Sequence, residues 1–150
     1  MNIVRANDSH LEPLAELFDL YRQFYDFTAD LDLCGAYMQE QLKHNSSVVF
    51  VAISDDQNAM GFTQMYPTFC SLAAGPIYVL YDLYVRPDVR GQGVGRTLME
   101  RARQHAEETG ALRIDLSTAK GNKPAHALYD SLGYKRDYEF YSYSLDIGRT

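Results

Sequence analysis

Tryptophan is absent from this chain and cysteine occurs twice among 150 residues. Cys34 and Cys70 lack C-x-x-C spacing, so neither a disulfide framework nor a zinc site is suggested; free thiols are expected and no metal is called for. No stretch approaches the ~20 uninterrupted apolar residues of a membrane helix. The opening Met1-Asn2-Ile3-Val4-Arg5-Ala6 has no apolar signal core. A soluble, cytoplasmic protein with no membrane partner is the expectation. Positive charge is the scarcer sign, with 14 Lys plus Arg against 20 Asp plus Glu and a net charge of -6. That balance argues against binding nucleic acid through phosphate neutralisation and suits a cationic small molecule or basic peptide, although mild acidity also serves solubility alone. Internal repeats, low-complexity segments and linkers are lacking too. With 46% hydrophobic content, residues 1–150 read as one domain able to bury a core.

Tyrosine is abundant, at 12 residues, and suits walls where an apolar body meets a polar tip. Asn2 to Ala6 reads as a short strand, after which Asn7-Asp8-Ser9 can cap a helix beginning near Leu11. Leu14, Leu17, Phe18, Tyr21, Phe24 and Tyr25 recur at helical spacing, a stripe suited to the core with a tyrosine-rich end that could face a cleft. After the acidic break from Asp26 to Asp32, a second helix covers Leu33 to Lys43. Ser47 to Ser54 and Ala59 to about Phe69 form a hairpin, and Ile77 to Val85 is a long central strand stopped by Arg86-Pro87-Asp88. A helix from Val94 to Thr109, a strand from Leu112 to Leu116, and a helix from Pro124 to Leu132 follow. Tyr134 to Leu145 then reads as further strands. The order is mixed α/β.

Arg90-Gly91-Gln92-Gly93-Val94-Gly95 joins a strand to a helix, so several backbone N–H groups can converge on an anion at a helix N-terminus. A simple packed turn is the other reading of such a loop. It matches neither G-x-x-x-x-G-K-[ST] nor G-x-G-x-x-G, which weakens NTPase and dinucleotide assignments. The run from Leu83 through Pro87 into these glycines resembles the acetyl-CoA motif of the GNAT superfamily of N-acetyltransferases. Asn122-Lys123-Pro124-Ala125-His126-Ala127-Leu128-Tyr129-Asp130-Ser131-Leu132-Gly133-Tyr134 is similar to that family's N-x-x-A-x-x-L-Y-x-x-x-G-[FY] segment. Two motifs in the right order are far more specific than one loop.

The resemblance implies a GNAT-like α/β (α+β) fold: a mixed, mostly antiparallel sheet flanked by helices, with a splayed central strand pair that admits acetyl-CoA. Leu83 and Val85 would contact its pantetheine arm, and an N–H near Leu83 or Tyr84 would stabilise the oxyanion. Residues 90–95 would hold the pyrophosphate, Arg96 would touch phosphate, and Asn122 would hold the arm or a water. An amine nucleophile must lose a proton before attack. Asp82 matches the acidic residue of polyamine acetyltransferases, and Tyr129 the general acid that protonates the departing thiolate. Each also has a plain structural reading, as a paired buried carboxylate and a packed helix residue. Tyr21, Tyr25, Asp26, Tyr66 and Asp82 are candidates for binding a small cationic amine. The run Gly61 to Pro67, with Tyr81-Asp82 after it and Phe140 to Leu145 near the end, resembles the histone and polyamine (diamine) branch. Acetylation of a protein lysine or N-terminus, and a non-catalytic acetyl-CoA-binding module, are the alternatives. The tyrosine-rich C-terminal strands could pair across subunits into a homodimer.

Overall fold

Val48–Ile53 is apolar at every position, the pattern of a strand covered on both faces. A computed structural model describes residues 1–148 of the chain, which divides into two compact units, Met1–Ser117 and Thr118–Thr150. Val48–Ile53 is β2 in the five-stranded sheet of the first unit, whose order is β1 (Asn2–Arg5), β2, β3 (Ala59–Cys70), β4 (Gly75–Val85) and β5 (Ile114–Leu116). Neighbours from β1 to β4 are antiparallel, while β5 returns parallel to β4 after the crossover helix α3 (Val94–Glu108).

Successive strand side chains face opposite sides, which explains how β2 is covered twice. Val49 and Val51 join Phe62 and Tyr84 in a core sealed by Leu14 and Leu17 of α1 (Leu11–Phe24) and by Met38 of α2 (Leu31–His44). Phe50 points the other way, with the guanidinium of Arg101 on α3 lying 4.5 Å from its ring centroid. Val94, Leu98, Met99, Ala102 and Ala106, spaced at three and four residues, form the buried stripe of α3. Full burial of a side chain such as Phe50 or Leu14, both 0% exposed, contributes about 1.5–3 kcal/mol.

The caps follow the local chemistry of the sequence. Asn7 Oδ1 accepts the Ser9 N–H at 2.9 Å, and His10 Nδ1 accepts the Asn7 N–H at 3.0 Å in the turn before α1. Asp30 Oδ1 accepts the Leu33 N–H at 3.1 Å and caps α2, which ends at Asn45 in a left-handed conformation with φ 49°. The mixed, mostly antiparallel sheet and its flanking helices match the expected α/β architecture. No described helix is long and apolar enough to cross a membrane.

One expectation is corrected. Tyr134 to Leu145 forms no strand; among the described residues, the second unit holds one regular element, α4 (Lys123–Ser131). Alternating aromatic residues favour an extended chain, yet a strand exists only through a ladder with another strand, and none lies among the described residues of the second unit.

Candidate active site

The sheet opens where β4 changes its hydrogen-bonding pattern. β5 pairs with β4 only at Tyr78↔Ile114, Val79↔Asp115 and Leu80↔Leu116, so β4 continues from Tyr81 to Val85 without it. On the other side, Gln64 pairs with Asp82 and Met65 with Leu80, leaving Tyr81 as the extra residue of a β-bulge. The Arg86 N–H donates to the Met60 carbonyl at 2.8 Å, which fixes the alternation beyond the bulge. Asp82 and Tyr84 direct their backbone groups toward β3, whereas Leu83 and Val85 direct theirs to the edge that β5 leaves uncovered. The Val85 carbonyl on that edge accepts from Arg90 Nε at 2.8 Å. The expected splay of a central strand pair is thus present, and it begins at the bulge.

β4 leads through Arg86 and the short turn Pro87–Val89 into the glycine loop. Gly91 and Gly93 adopt φ 77° and 83°, conformations that disfavour any residue with a Cβ. A Cβ on either would meet no protein atom within 4 Å, so backbone angle and not packing requires glycine there. Gly93 is the N-cap of α3, which has neither a side-chain cap nor an acidic residue in its first turn. Its leading N–H groups and positive dipole end are therefore available to an external anion. Gln92 is exposed, while Val94 is buried and anchors the helix. Gly95 and the exposed Arg96 lie in its first turn. Arg90 is turned back onto the sheet: besides bonding to Val85, its guanidinium lies 5.4 Å from the Tyr84 ring centroid and 5.9 Å from that of Phe24. It braces the loop entry.

Asp82 lies at a 290 Å³ cavity walled by Phe18, Tyr37, Tyr66 and Tyr81. The carboxylate is 8% exposed and accepts from Gln64 Nε2 at 2.7 Å through Oδ2. Burial raises its pKa above the ordinary aspartate value, while hydrogen bonding from Gln64 and Tyr21 opposes that shift. The Tyr21 hydroxyl also donates to the Tyr81 carbonyl at 2.9 Å, tying α1 to the bulge. The Phe18 and Tyr37 rings stack at 5.5 Å, and Tyr66 meets Tyr81 edge to face at 5.5 Å. The Tyr37 and Tyr66 hydroxyls are hydrogen-bonded to one another. Burial, reinforced by Tyr37, pushes the Tyr66 phenol above its usual range, so it is neutral at physiological pH. Aromatic faces around a buried carboxylate form a setting for a desolvated cation.

Of the residues singled out from sequence, Tyr66 and Asp82 line this cavity and Tyr21 braces it. Tyr25 and Asp26 sit at the exposed end of α1, where Tyr25 packs edge to face on Tyr21 at 5.3 Å and Asp26 has φ 68°. Tyr37, Tyr81, Gln64 and Ser47 were missed as site residues. The register that brings them in is not written in local periodicity. In the second unit, Asn122 Oδ1 caps α4 by accepting the Ala125 N–H at 3.4 Å, and the half-buried Tyr129 packs against Tyr134 with ring centroids 6.0 Å apart.

The strand-bulge-loop-helix unit sets an uncovered strand edge beside an uncapped helix N-terminus, a setting for an extended ligand that carries an anionic group. Residues 12–134 match the model of the acetyltransferase (GNAT) family. The chain belongs to that family and is an N-acetyltransferase. It is 37% identical over 147 residues to the uncharacterized N-acetyltransferase YhfO of Bacillus subtilis (strain 168), covering 98% of each chain. Identity to the thialysine N-epsilon-acetyltransferase of Caenorhabditis elegans is 26% over 132 residues, covering 88% of this chain and 81% of that protein. The crystal structure of a probable acetyltransferase superposes with a TM-score of 0.93 at 36% identity, covering 100% of both chains.

Proposed function

We propose that the chain transfers the acetyl group of acetyl-CoA directly to a primary amine on a small cationic molecule, a polyamine, diamine or related alkylamine. The observation that carries this reading is Asp82, buried among aromatic walls and next to Leu83, whose backbone groups face the uncovered edge of β4. The C. elegans relative's thialysine side chain ends in a primary amine, which supports the same substrate class. The family match runs from residue 12 to 134 and supports one catalytic domain spanning both units. A cytoplasmic setting completes this reading, because acetyl-CoA is available there.

Acetyl-CoA fits the chemistry of the first unit. Backbone N–H groups from Gly91 to Gly95, with Arg96 beside them, bind pyrophosphate oxygens at the uncapped start of α3. Leu83 and Val85 hydrogen-bond the pantetheine amides as an added strand would, and Asn122 holds the arm or a water beside it. Asp82 pairs with the substrate ammonium and takes its proton, directly or through water. The neutral nitrogen then attacks the thioester carbonyl carbon. Negative charge develops on the carbonyl oxygen and is stabilised by a β4 N–H; the alternation of the strand favours Leu83 over Tyr84, whose N–H faces β3. Collapse breaks the C–S bond, and Tyr129 gives its proton to the departing CoA thiolate. The second proton of the attacking nitrogen returns to the Tyr129 phenolate through water, leaving the neutral amide and the CoA thiol, while Asp82 releases its proton to solvent. Neither Cys34, which is buried, nor Cys70 serves as nucleophile in this scheme, and no acetyl-enzyme forms.

Release of the CoA thiol, measured with linear diamines, polyamines, thialysine, aminoglycosides and basic peptides, tests the proposal. Turnover should be highest with small flexible primary amines. Acetyl-CoA binding without acetylation of any small amine would overturn the substrate assignment, and exclusive acetylation of peptides would replace it with a protein substrate.

We also propose a homodimer formed through the C-terminal segment. Tyr138, Phe140, Tyr141, Tyr143, Leu145 and Ile147 are each at least 70% exposed, and this segment has no ladder partner in its own unit. A second copy would supply one. Light scattering at assay concentrations should give twice the 17.1 kDa chain mass; a monomeric mass would refute the dimer.

A further inference from the structure

Gln64 is 0% exposed on β3, and an amide that deeply buried requires partners at both ends. It has them: Ser47 Oγ donates to Gln64 Oε1 at 2.7 Å, and Gln64 Nε2 donates to Asp82 Oδ2 at 2.7 Å. Gln64 and Asp82 are direct cross-strand partners, so their side chains leave the same face of the sheet, and the bulge at Tyr81 begins at the next step of the ladder. Met38 Sδ on α2 lies 3.9 Å from Gln64 Nε2 and closes the remaining side. Ser47 is itself 6% exposed. Three buried polar residues from β3, β4 and the chain just before β2 thus form one directed line of hydrogen bonds ending at the carboxylate.

We infer that Gln64 is a positioning residue that holds Oδ2 of Asp82 and leaves Oδ1 to receive the substrate ammonium, with Ser47 pairing the far end of the amide. This rests on the reading of Asp82 as the base. The two ends of a glutamine amide are alike in size, so orientation is set by partners alone. If the amide turned over, its oxygen would oppose the carboxylate oxygen, and the site would favour a protonated Asp82 unable to accept a proton from the amine. The ionised carboxylate, an acceptor only, disfavours that arrangement, and the Ser47 hydroxyl, which can donate or accept, satisfies the amide oxygen that faces it when Nε2 donates to Asp82. The titratable groups facing Asp82 are phenols: Tyr21 from α1, Tyr37 from α2, Tyr66 from β3 and Tyr81 from its own strand. Gln64 is the neutral donor that favours the charged form from within the sheet.

The test uses the full chain carrying Gln64→Met, which keeps the volume and removes the donor. Because this leaves the Ser47 hydroxyl without its acceptor, the double variant Ser47→Ala/Gln64→Met is the second probe, with no unpaired buried group at either position. Carboxyl ¹³C titration by NMR reads Asp82 directly and needs no activity. In both variants its midpoint should rise by about one to two pH units, the worth of one charge-assisted hydrogen bond. The acidic limb of the kcat/KM profile should move upward by the same one to two units, so that activity on that limb falls by about ten- to a hundredfold and recovers as pH rises. A merely structural role would lower activity equally at all pH values. An unchanged NMR midpoint overturns the inference. A midpoint that rises while the rate profile stays fixed leaves the hydrogen bond intact but removes Asp82 as the base, and the positioning role fails with it.

Discussion

Replacing Asp82 by asparagine separates its chemistry from its place in the fold. The substitution keeps the side-chain volume and an oxygen able to accept from Gln64 Nε2, now 2.7 Å from Oδ2 of the native carboxylate. Burial raises the native carboxyl pKa, so the folded protein binds that proton more tightly than the unfolded chain does. The sign of the linkage follows. Asp82's favourable contribution is fully present below its unfolded value of ~3.9 and is lost as pH rises through the folded value, because a charge must then be held in a desolvated site. Asparagine has no charge to desolvate. The melting temperature of Asp82→Asn relative to the parent should therefore rise between about pH 4 and neutrality. Loss of the base should lower kcat/KM by roughly 10²–10⁴-fold, or about 2.7–5.4 kcal/mol of transition-state stabilisation. Acetyl-CoA affinity should be unchanged, since the carboxylate faces the amine cavity. Calorimetric melting across pH, thiol-release kinetics and acetyl-CoA titration measure these three quantities. A variant that turns over within threefold of the parent, or that loses stability progressively as pH rises, would refute the reasoning.

Gly93→Ala should cost about 1–2 kcal/mol of stability through its φ of 83°, since the added Cβ meets nothing, and should weaken acetyl-CoA binding in an isothermal titration. Gly121→Ala, also in open space but with no left-handed backbone, should stay within about 0.5 kcal/mol by the same melting assay. Gly61→Ala is a packing test: its Cβ would lie 2.6 Å from the Tyr84 carbonyl oxygen and 3.2 Å from Val85 Cα, so β3 and β4 must move apart at a cost of about 1–3 kcal/mol in denaturant unfolding. Tyr129→Phe should reduce kcat by about 10²-fold or more with acetyl-CoA affinity retained, and unchanged turnover would remove its role as general acid.

The elements that were legible in the sequence are those specified by their own residues. The helical stripe of α1, the all-apolar β2 and the glycine stop of α3 were placed within a few residues. Asp82 and Tyr66 could be nominated through the family resemblance, which places an acid before the cofactor segment and the substrate wall on the strand that carries Tyr66. Tyr81 could not be assigned to a bulge, since a bulge is a property of two strands in register and local residue pattern does not encode it. The role of Gln64 comes from its cross-strand partner and from Ser47, 17 residues earlier, neither of which local sequence specifies. Tyr37 is 40% exposed on α2, and only the tertiary stacking of its ring on Phe18 brings it to the cavity. The C-terminal strands failed for the converse reason. Their aromatic alternation was read as strands, but a strand needs a ladder partner, and none lies among the described residues of the second unit.

A crystal structure of the chain with CoA and a linear diamine measures the position on which everything above depends, that of the acceptor nitrogen. It should lie within about 2.6–3.2 Å of an Asp82 carboxylate oxygen, or one water away, among Phe18, Tyr37, Tyr66 and Tyr81. An amine held elsewhere, with Asp82 bonded only to Gln64 and Tyr21, would contradict the assignment of Asp82 as the base and of this cavity as the amine site.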